Sequence, residues 1–235
     1  MKLGGLQKLT LLDFPGRVAC TVFTVGCNFR CPFCHNSSLV LTPALPELDQ
    51  DDFFAFLRKR QGLLDGVAIT GGEPLLHPDM PEFLAKIRAL GYAVKLDTNG
   101  AFPERLKAIL DARLADYVAM DVKNRKEKYE QTVGVPGVLP KVEESAALLM
   151  AGTTPFEFRT TLVDELHEPE DFAAIGRWIA GAGRYFIQGF VDSGDILAGG
   201  GRFHAASPEK AKACLEAVRA FVPNAQLRGV ELSII

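Results

Sequence analysis

The stretch Gly26-Cys27-Asn28-Phe29-Arg30-Cys31-Pro32-Phe33-Cys34-His35-Asn36 carries three of the chain's five cysteines at Cys-x-x-x-Cys-x-x-Cys spacing. Three thiolates on one short loop can each take one iron of a cubane iron–sulfur cluster, which leaves the fourth iron without a protein ligand. An open iron is a place for chemistry. Three other readings use the same residues. Cys31-Pro32-Phe33-Cys34-His35 has the Cys-x-x-Cys-His form of haem attachment, and Cys-Pro-Phe-Cys alone has the form of a dithiol redox site. Structural zinc with three Cys and a His is the third. Haem attachment goes with export, the dithiol leaves Cys27 unexplained, and zinc asks the adjacent Cys34 and His35 to reach one ion in awkward geometry.

Outward from this loop the chain alternates between strands and helices. Val18, Cys20, Val22 and Val25 pattern a strand from Arg17 to Val25 that ends where the cysteine loop begins. Beyond a Pro-punctuated linker, Thr42-Pro43 to Pro46-Glu47, the periodicity of Phe53, Phe54, Phe56 and Leu57 predicts a helix over Asp51–Arg60. Further strands are predicted at Val67–Thr70, Ala93–Asp97, Tyr117–Asp121, Phe156–Leu162 and Tyr185–Phe190. Helices are predicted at Pro81–Leu90, Pro103–Asp111, Pro140–Met150, Pro169–Ala180 and Pro208–Phe221, the last with Ser207 as N-cap and Pro208 at N1. Six β-then-α units argue for a parallel sheet with helices on its outer face. Eight would close a barrel. The expected fold is therefore α/β, an open partial (β/α)6 barrel formed by one domain over residues 1–235, with residues 1–16 as a segment available for partner docking.

In parallel α/β sheets ligands collect beyond the carboxyl ends of the strands. Thr70-Gly71-Gly72-Glu73-Pro74 follows the second strand; its glycines let backbone approach a ligand closely, and Glu73 offers a carboxylate to an ammonium. Asp97-Thr98-Asn99-Gly100 follows the third strand and Asp121-Val122-Lys123 ends the fourth. A single strand-end Asp reads as an N-cap of the next helix. Together Asp97, Thr98, Asp121 and Lys123 set carboxylates and an ammonium around one strand-end pocket. Arg159 and Gln188, on the fifth and sixth strands, face the same cleft if their side chains point inward. Alternation puts Arg159 on the face of Glu157, so a buried Glu157–Arg159 pair is the structural alternative. The Gly-rich segment 192–207 reads either as a surface loop or as a lid or docking element.

The cysteine spacing, with Phe33 as the aromatic before Cys34, resembles the radical S-adenosylmethionine (SAM) superfamily. Thr24-Val25-Gly26-Cys27 through Cys34-His35-Asn36 is most similar to its glycyl-radical-enzyme activases. The resemblance implies a [4Fe-4S] cluster on Cys27, Cys31 and Cys34 with SAM on the open iron. It further implies that Gly71, Gly72 and Glu73 hold the amino group of SAM, that Phe33 and His35 lie against adenine and cluster, and that Asp121-Val122-Lys123 contacts SAM. Neighbouring carboxylates form a monovalent-cation site in the pyruvate formate-lyase activase that this region resembles.

The implied chemistry is one-electron cleavage of SAM to methionine and a 5′-deoxyadenosyl radical, which takes the α-hydrogen of a glycine in a partner glycyl radical enzyme. Asp13-Phe14-Pro15-Gly16 resembles the Asp-x-Pro-Gly segment of activases, and Asp13 is a candidate for receiving the partner's loop; a plain Pro-Gly turn is the alternative. With no cysteine between Cys34 and Cys214 a second cluster is excluded by count. The opening Gly4 to Gly16 is most similar to activases of anaerobic ribonucleoside-triphosphate reductase. Flavodoxin or ferredoxin is the electron donor the family implies. Activation of pyruvate formate-lyase, a small-molecule enzyme such as 7-carboxy-7-deazaguanine synthase, and a non-catalytic metal-binding module are the alternatives.

Bulk properties agree with a globular enzyme. Residues are 48% hydrophobic and 23% charged, and a formal charge of -3 gives no general electrostatic footprint for nucleic acid. No run reaches membrane-spanning length, and Gly4, Gly5, Gln7, Lys8 and Asp13 interrupt any leader-like apolar region, so the expected location is cytoplasmic. In that reducing compartment clustered thiols are ligands rather than disulfide partners. Cys20 and Cys214 fall on apolar faces and read as buried small hydrophobes.

Overall fold

The computed structural model describes residues 1–41, 48–194 and 196–230. The predicted linker at 42–47 and Asp195 of the Gly-rich segment lie outside these. Among the described residues eight strands form one sheet in chain order: β1 (Leu3–Thr10), β2 (Ala19–Thr24), β3 (Gly66–Gly71), β4 (Ala93–Thr98), β5 (Tyr117–Asp121), β6 (Phe156–Leu162), β7 (Tyr185–Gly189) and β8 (Gln226–Arg228). From β2 to β8 neighbouring strands are parallel; β1 runs antiparallel to β2.

Strands β2 to β7 are the six predicted ones. The two edge strands are additions to the expected six-stranded arch. Within residues 1–16, Leu3–Thr10 is an edge strand of the sheet. Neither edge strand carries a two-residue apolar period: only the end residues of β1 are buried, and β8 is three residues of Gln-Leu-Arg. An edge strand is held by backbone pairing on one side, so its side chains need not report it.

Among the described residues eight α-helices connect or flank the strands: α1 (Ser37–Leu41), α2 (Gln50–Lys59), α3 (Met80–Ala89), α4 (Pro103–Asp111), α5 (Lys126–Val133), α6 (Leu139–Ala151), α7 (Pro169–Trp178) and α8 (Pro208–Arg219). Ser207 accepts the amide of Lys210 at 3.1 Å, capping α8 as predicted. The sequence reading missed α1 and α5. Lys126-Glu127-Lys128-Tyr129-Glu130-Gln131-Thr132-Val133 buries only Tyr129, Thr132 and Val133, too few to write a helical stripe.

Strand alternation divides the sheet into two unlike faces. Val22, Ile69, Val94, Leu96, Val118, Phe158 and Ile187 point outward into a core shared with Phe53, Phe83, Ile109, Leu149, Phe172 and Val218 of the helices. The inner face carries Thr21, Thr70, Asp97, Asp121, Arg159 and Gln188 and bounds a cavity of about 590 Å³. The fold thus keeps its apolar core between sheet and helices and its polar residues inside the arch. Cys20 and Cys214 are fully buried on the apolar side, where burial pushes both thiols up to about 12.

At the amino ends of the strands, Glu157 accepts Tyr117 Oη at 2.8 Å and Arg228 Nη1 and Nη2 at 3.0 and 3.3 Å. The buried partner of Glu157 is therefore Arg228, which ties the last strand to the floor of the arch, and not Arg159 as the sequence alternative had it. Phe14 closes the same floor, its ring tilted at 49° to that of Tyr117 with the centroids 6.3 Å apart. No helix among the described residues is long and apolar enough to cross a membrane.

Candidate active site

The cysteine loop leaves β2 and is held by its backbone on three sides. Gly26 N–H donates to Leu39 O at 2.8 Å on α1, and Arg30 N–H to Val133 O at 2.8 Å at the end of α5. Leu197 and Ala198 N–H donate to Cys34 O and Pro32 O at 3.1 and 2.9 Å. The Gly-rich segment thus clamps the cysteine loop. Arg30 Nη1 closes the loop on itself through Cys27 O at 2.6 Å and Phe29 O at 2.8 Å. Phe29 and Phe33 are buried anchors, so the thiols of Cys27, Cys31 and Cys34 are left to line the cavity.

The three thiols are free of disulfides and unequally buried. Burial pushes Cys31 up to about 12; burial, with the nearby charge of Glu73, pushes Cys27 up to about 11, while Lys123 opposes both. Such thiols give up their protons to a metal, not to water. Among the described residues no three His, Cys, Asp or Glu side chains are grouped as a ready single-ion site. Cys27 Sγ accepts Phe29 N–H at 3.4 Å and Asn99 Nδ2 at 3.8 Å.

Gly71-Gly72-Glu73 lies against the base of this loop. Gly72 and Glu73 donate their amides to Thr24 O and Gly26 O at 2.9 and 2.8 Å. A Cβ on Gly71 would stand 2.5 Å from Thr24 N, and one on Gly72 would stand 2.0 Å from Gly26 O. The glycines are required where two pieces of backbone meet, a reason distinct from the expected approach of backbone to ligand. Glu73 is fully buried and its side chain is occupied: Oε1 accepts Leu75 N–H at 2.9 Å and Thr98 Oγ1 at 2.8 Å, and Oε2 accepts Asn99 N–H at 2.7 Å. Burial pushes its carboxyl up to about 7 against these three donors.

Asp97, Arg159, Asp121 and Lys123 line the cavity and, with the buried Lys95 paired to Asp97, form a chain of alternating charge. Lys95 Nζ pairs with Asp97 Oδ1. Arg159 donates from Nη1 to Asp97 Oδ2 and from Nε to Asp121 Oδ1, both at 3.0 Å. Lys123 Nζ donates to Asp121 Oδ2 at 2.9 Å. Burial pushes both carboxyls up, but Arg159 outweighs it, with Lys95 at Asp97 and Lys123 at Asp121, and both are held below the usual carboxylate range. Every residue singled out from the sequence lines this one cavity: Cys27, Cys31, Phe33, Cys34, His35, Gly71, Gly72, Glu73, Asp97, Thr98, Asp121, Lys123, Arg159 and Gln188.

Lys95 and Asn99 were missed. A lysine in mid-strand, two residues before a strand-end Asp and on the same face, was the available signal for Lys95. Asn99, beside Thr98, carried none that distinguishes it from a turn residue. Asp13 also lines the cavity and accepts Thr21 Oγ1 at 2.5 Å.

The sequence pattern of the radical SAM superfamily matches residues 21–173, from the strand before the cysteines to α7. This chain belongs to the radical SAM superfamily. Among similar radical SAM proteins, a provisionally named glycyl-radical enzyme activating enzyme of Methanocaldococcus jannaschii is 32% identical over 80% of this chain and 79% of its own length. A pyruvate formate-lyase-activating enzyme of Listeria monocytogenes is 26% identical over 76% of this chain and 75% of its own. The crystal structure of Streptococcus suis SuiB bound to S-adenosylmethionine superposes with a TM-score of 0.70 at 13% identity, over 89% of this chain and 49% of SuiB.

The family implies a [4Fe-4S] cluster and SAM, and the donor set fits them. Three thiols free of disulfides line a cavity whose walls also present the cationic side chains of Lys123 and Arg159. The monovalent cation implied by the activase resemblance does not fit, because Arg159 already lies between the two carboxylates.

Proposed function

We propose that this radical SAM enzyme is a glycyl-radical-enzyme activase whose partner is anaerobic ribonucleoside-triphosphate reductase. The observation that supports the reading is the convergence of the three thiols, Gly71-Gly72 and the charged groups Asp97, Arg159, Asp121 and Lys123 on one cavity, in a chain similar over most of its length to a named activating enzyme. The partner assignment rests on the opening Gly4 to Gly16.

In this reading Cys27, Cys31 and Cys34 hold the cluster, and the cluster with SAM supplies one-electron cleavage of the bond to the ribose 5′ carbon. Lys123 and Arg159 face the SAM carboxylate. Glu73 Oε2, which accepts only Asn99 N–H, and the carbonyls of the Gly71-Gly72 segment receive the SAM ammonium. Phe33 and His35 flank adenine, while Thr98, Asp97 and Gln188 complete the polar wall. The apolar outer core keeps the arch rigid and so holds the groups on its inner face in position. Asp13, anchored by Thr21 at the far end of the cavity, receives the partner's glycine loop. The protein works in the cytoplasm with flavodoxin or ferredoxin as electron donor.

The test is anaerobic reconstitution followed by dithionite and SAM. Formation of 5′-deoxyadenosine is expected, and a glycine-centred electron paramagnetic resonance doublet should appear on added reductase. The similarity to the Listeria enzyme makes pyruvate formate-lyase the second partner to add. A doublet on that protein alone would reassign the partner; turnover of a pterin with no doublet on either would replace the activase by a small-molecule enzyme. Asp13→Ala with unchanged partner activation would remove its docking role.

A further inference from the structure

In Asp97 and Asp121 each of the four carboxylate oxygens meets its own cationic donor: Lys95 Nζ, Arg159 Nη1, Arg159 Nε and Lys123 Nζ. We infer that Arg159 is a built-in substitute for a monovalent cation, so that this site binds SAM without sodium or potassium. Three positive and two negative groups already leave the cluster of charges with a net +1.

A metal ion able to bridge the two aspartates would have to lie against the guanidinium that already contacts both at 3.0 Å, where like charges repel with little water between them. Arginine cannot escape this by losing its proton, unlike a buried lysine. Nor can it easily swing away. Asp121 and Arg159 are register partners on β5 and β6, and Asp97 lies one strand further on β4, so the guanidinium fork laces three adjacent strands. The side chains of Arg159, Asp97 and Asp121 are 13%, 12% and 23% exposed, which limits screening by bulk salt. Planar, bidentate geometry is what arginine supplies here and a spherical ion does not.

The part of the inference that concerns SAM rests on the reading of this cavity as the SAM site; the part that concerns the ion does not. The experiment therefore has two arms on the reconstituted protein, at constant ionic strength in sodium, potassium or choline chloride. The first is thermal melting without SAM, and the second is equilibrium SAM binding by calorimetry.

For the natural protein the melting temperature and the SAM dissociation constant should be the same in all three salts. Arg159→Gln removes the charge and opens the place between the carboxylates, so it should melt several degrees higher in potassium or sodium than in choline and bind SAM more tightly there. Arg159→Lys keeps a charge and should remain indifferent to the salt. Tightening of SAM binding to the natural protein by sodium or potassium of about tenfold, or 1.4 kcal/mol, would overturn the inference. So would a folded Arg159→Gln that gains no response to either ion. If Arg159→Gln does not fold, the natural protein and Arg159→Lys still decide. Absence of SAM binding in every salt would instead overturn the assignment of the cavity, leaving the melting arm to judge the ion.

Discussion

The backbone of Gly72 passes so close to that of Gly26 that a side chain on Gly72 would overlap the Gly26 carbonyl oxygen, at 2.0 Å from the new Cβ. Both atoms belong to backbone, and Gly26 is itself pinned to Leu39 and to the Glu73 amide, so neither side can give way. Gly72→Ala should therefore push the cysteine loop off the Gly71-Gly72-Glu73 segment. We expect a loss of about 3 kcal/mol in stability and poor iron uptake on reconstitution. Gly183→Ala, where a Cβ meets nothing within 4 Å, is the matched control and should load iron normally.

Glu73 is surrounded by donors, and this makes its isostere informative. In Glu73→Gln one carboxylate oxygen becomes an amide N–H that must face either the Asn99 amide or the donors at Leu75 and Thr98. One buried backbone N–H is left without an acceptor whichever way the amide turns. The expected cost is about 1–3 kcal/mol, measured by denaturant titration of the cluster-free protein. An unchanged midpoint would mean that the three contacts do not hold the β3 and β4 ends together.

Asn99 should tune the cluster. Its Nδ2 donates to Cys27 Sγ at 3.8 Å and to Asn28 Oδ1 at 2.9 Å, and hydrogen bonds to cluster sulfur raise the reduction potential by spreading negative charge. Asn99→Ala should therefore move the midpoint to more negative values in a redox titration followed by electron paramagnetic resonance. Asn99→Asp, which sets a carboxylate against the same thiolate, should move it further and weaken iron retention. A midpoint identical in all three proteins would end this assignment.

His167 couples pH to the site from outside the cavity. It is fully buried; Nδ1 accepts Val163 N–H at 3.2 Å, which leaves Nε2–H to donate to Lys123 O at 2.9 Å. Burial is the largest influence on the ring and holds its pKa below the usual 6.5. The sign follows from linkage: above 6.5 both folded and unfolded chains carry neutral histidine and the contribution is complete. As pH falls below 6.5 the unfolded chain takes up a proton that the folded chain refuses, and stability drops until the folded pKa is reached. Melting curves of the natural protein and His167→Gln should diverge at pH 7 and converge toward pH 5. Parallel curves would show that the ring does not titrate on unfolding.

The alternation of strands and helices was legible because it is written locally. Polar inner residues and apolar outer residues at a period of two mark each central strand, and Pro-initiated apolar stripes mark each principal helix. Edge strands β1 and β8 and the polar helix α5 were not legible, since each is held on one side by backbone or a few contacts. The cysteine loop and Gly71-Gly72-Glu73 could be picked out because ligand spacing and paired glycines are properties of neighbouring residues.

What these residues do to one another was decided only in three dimensions. From the sequence, Glu73 was a carboxylate offered to a ligand, and Arg159 either a cleft residue or a partner of Glu157; in the structure Glu73 accepts three internal donors, and Arg159 lines the cavity and joins Asp97 to Asp121. The sequence by itself determined the kind of chemistry, through three thiols on one loop, and the number of central β/α units that carry it. Only the tertiary structure decided which charges neutralise which. Those pairings depend on strand register and on the curvature that folds β4, β5 and β6 toward a common interior, and no residue's immediate neighbours along the chain encode either.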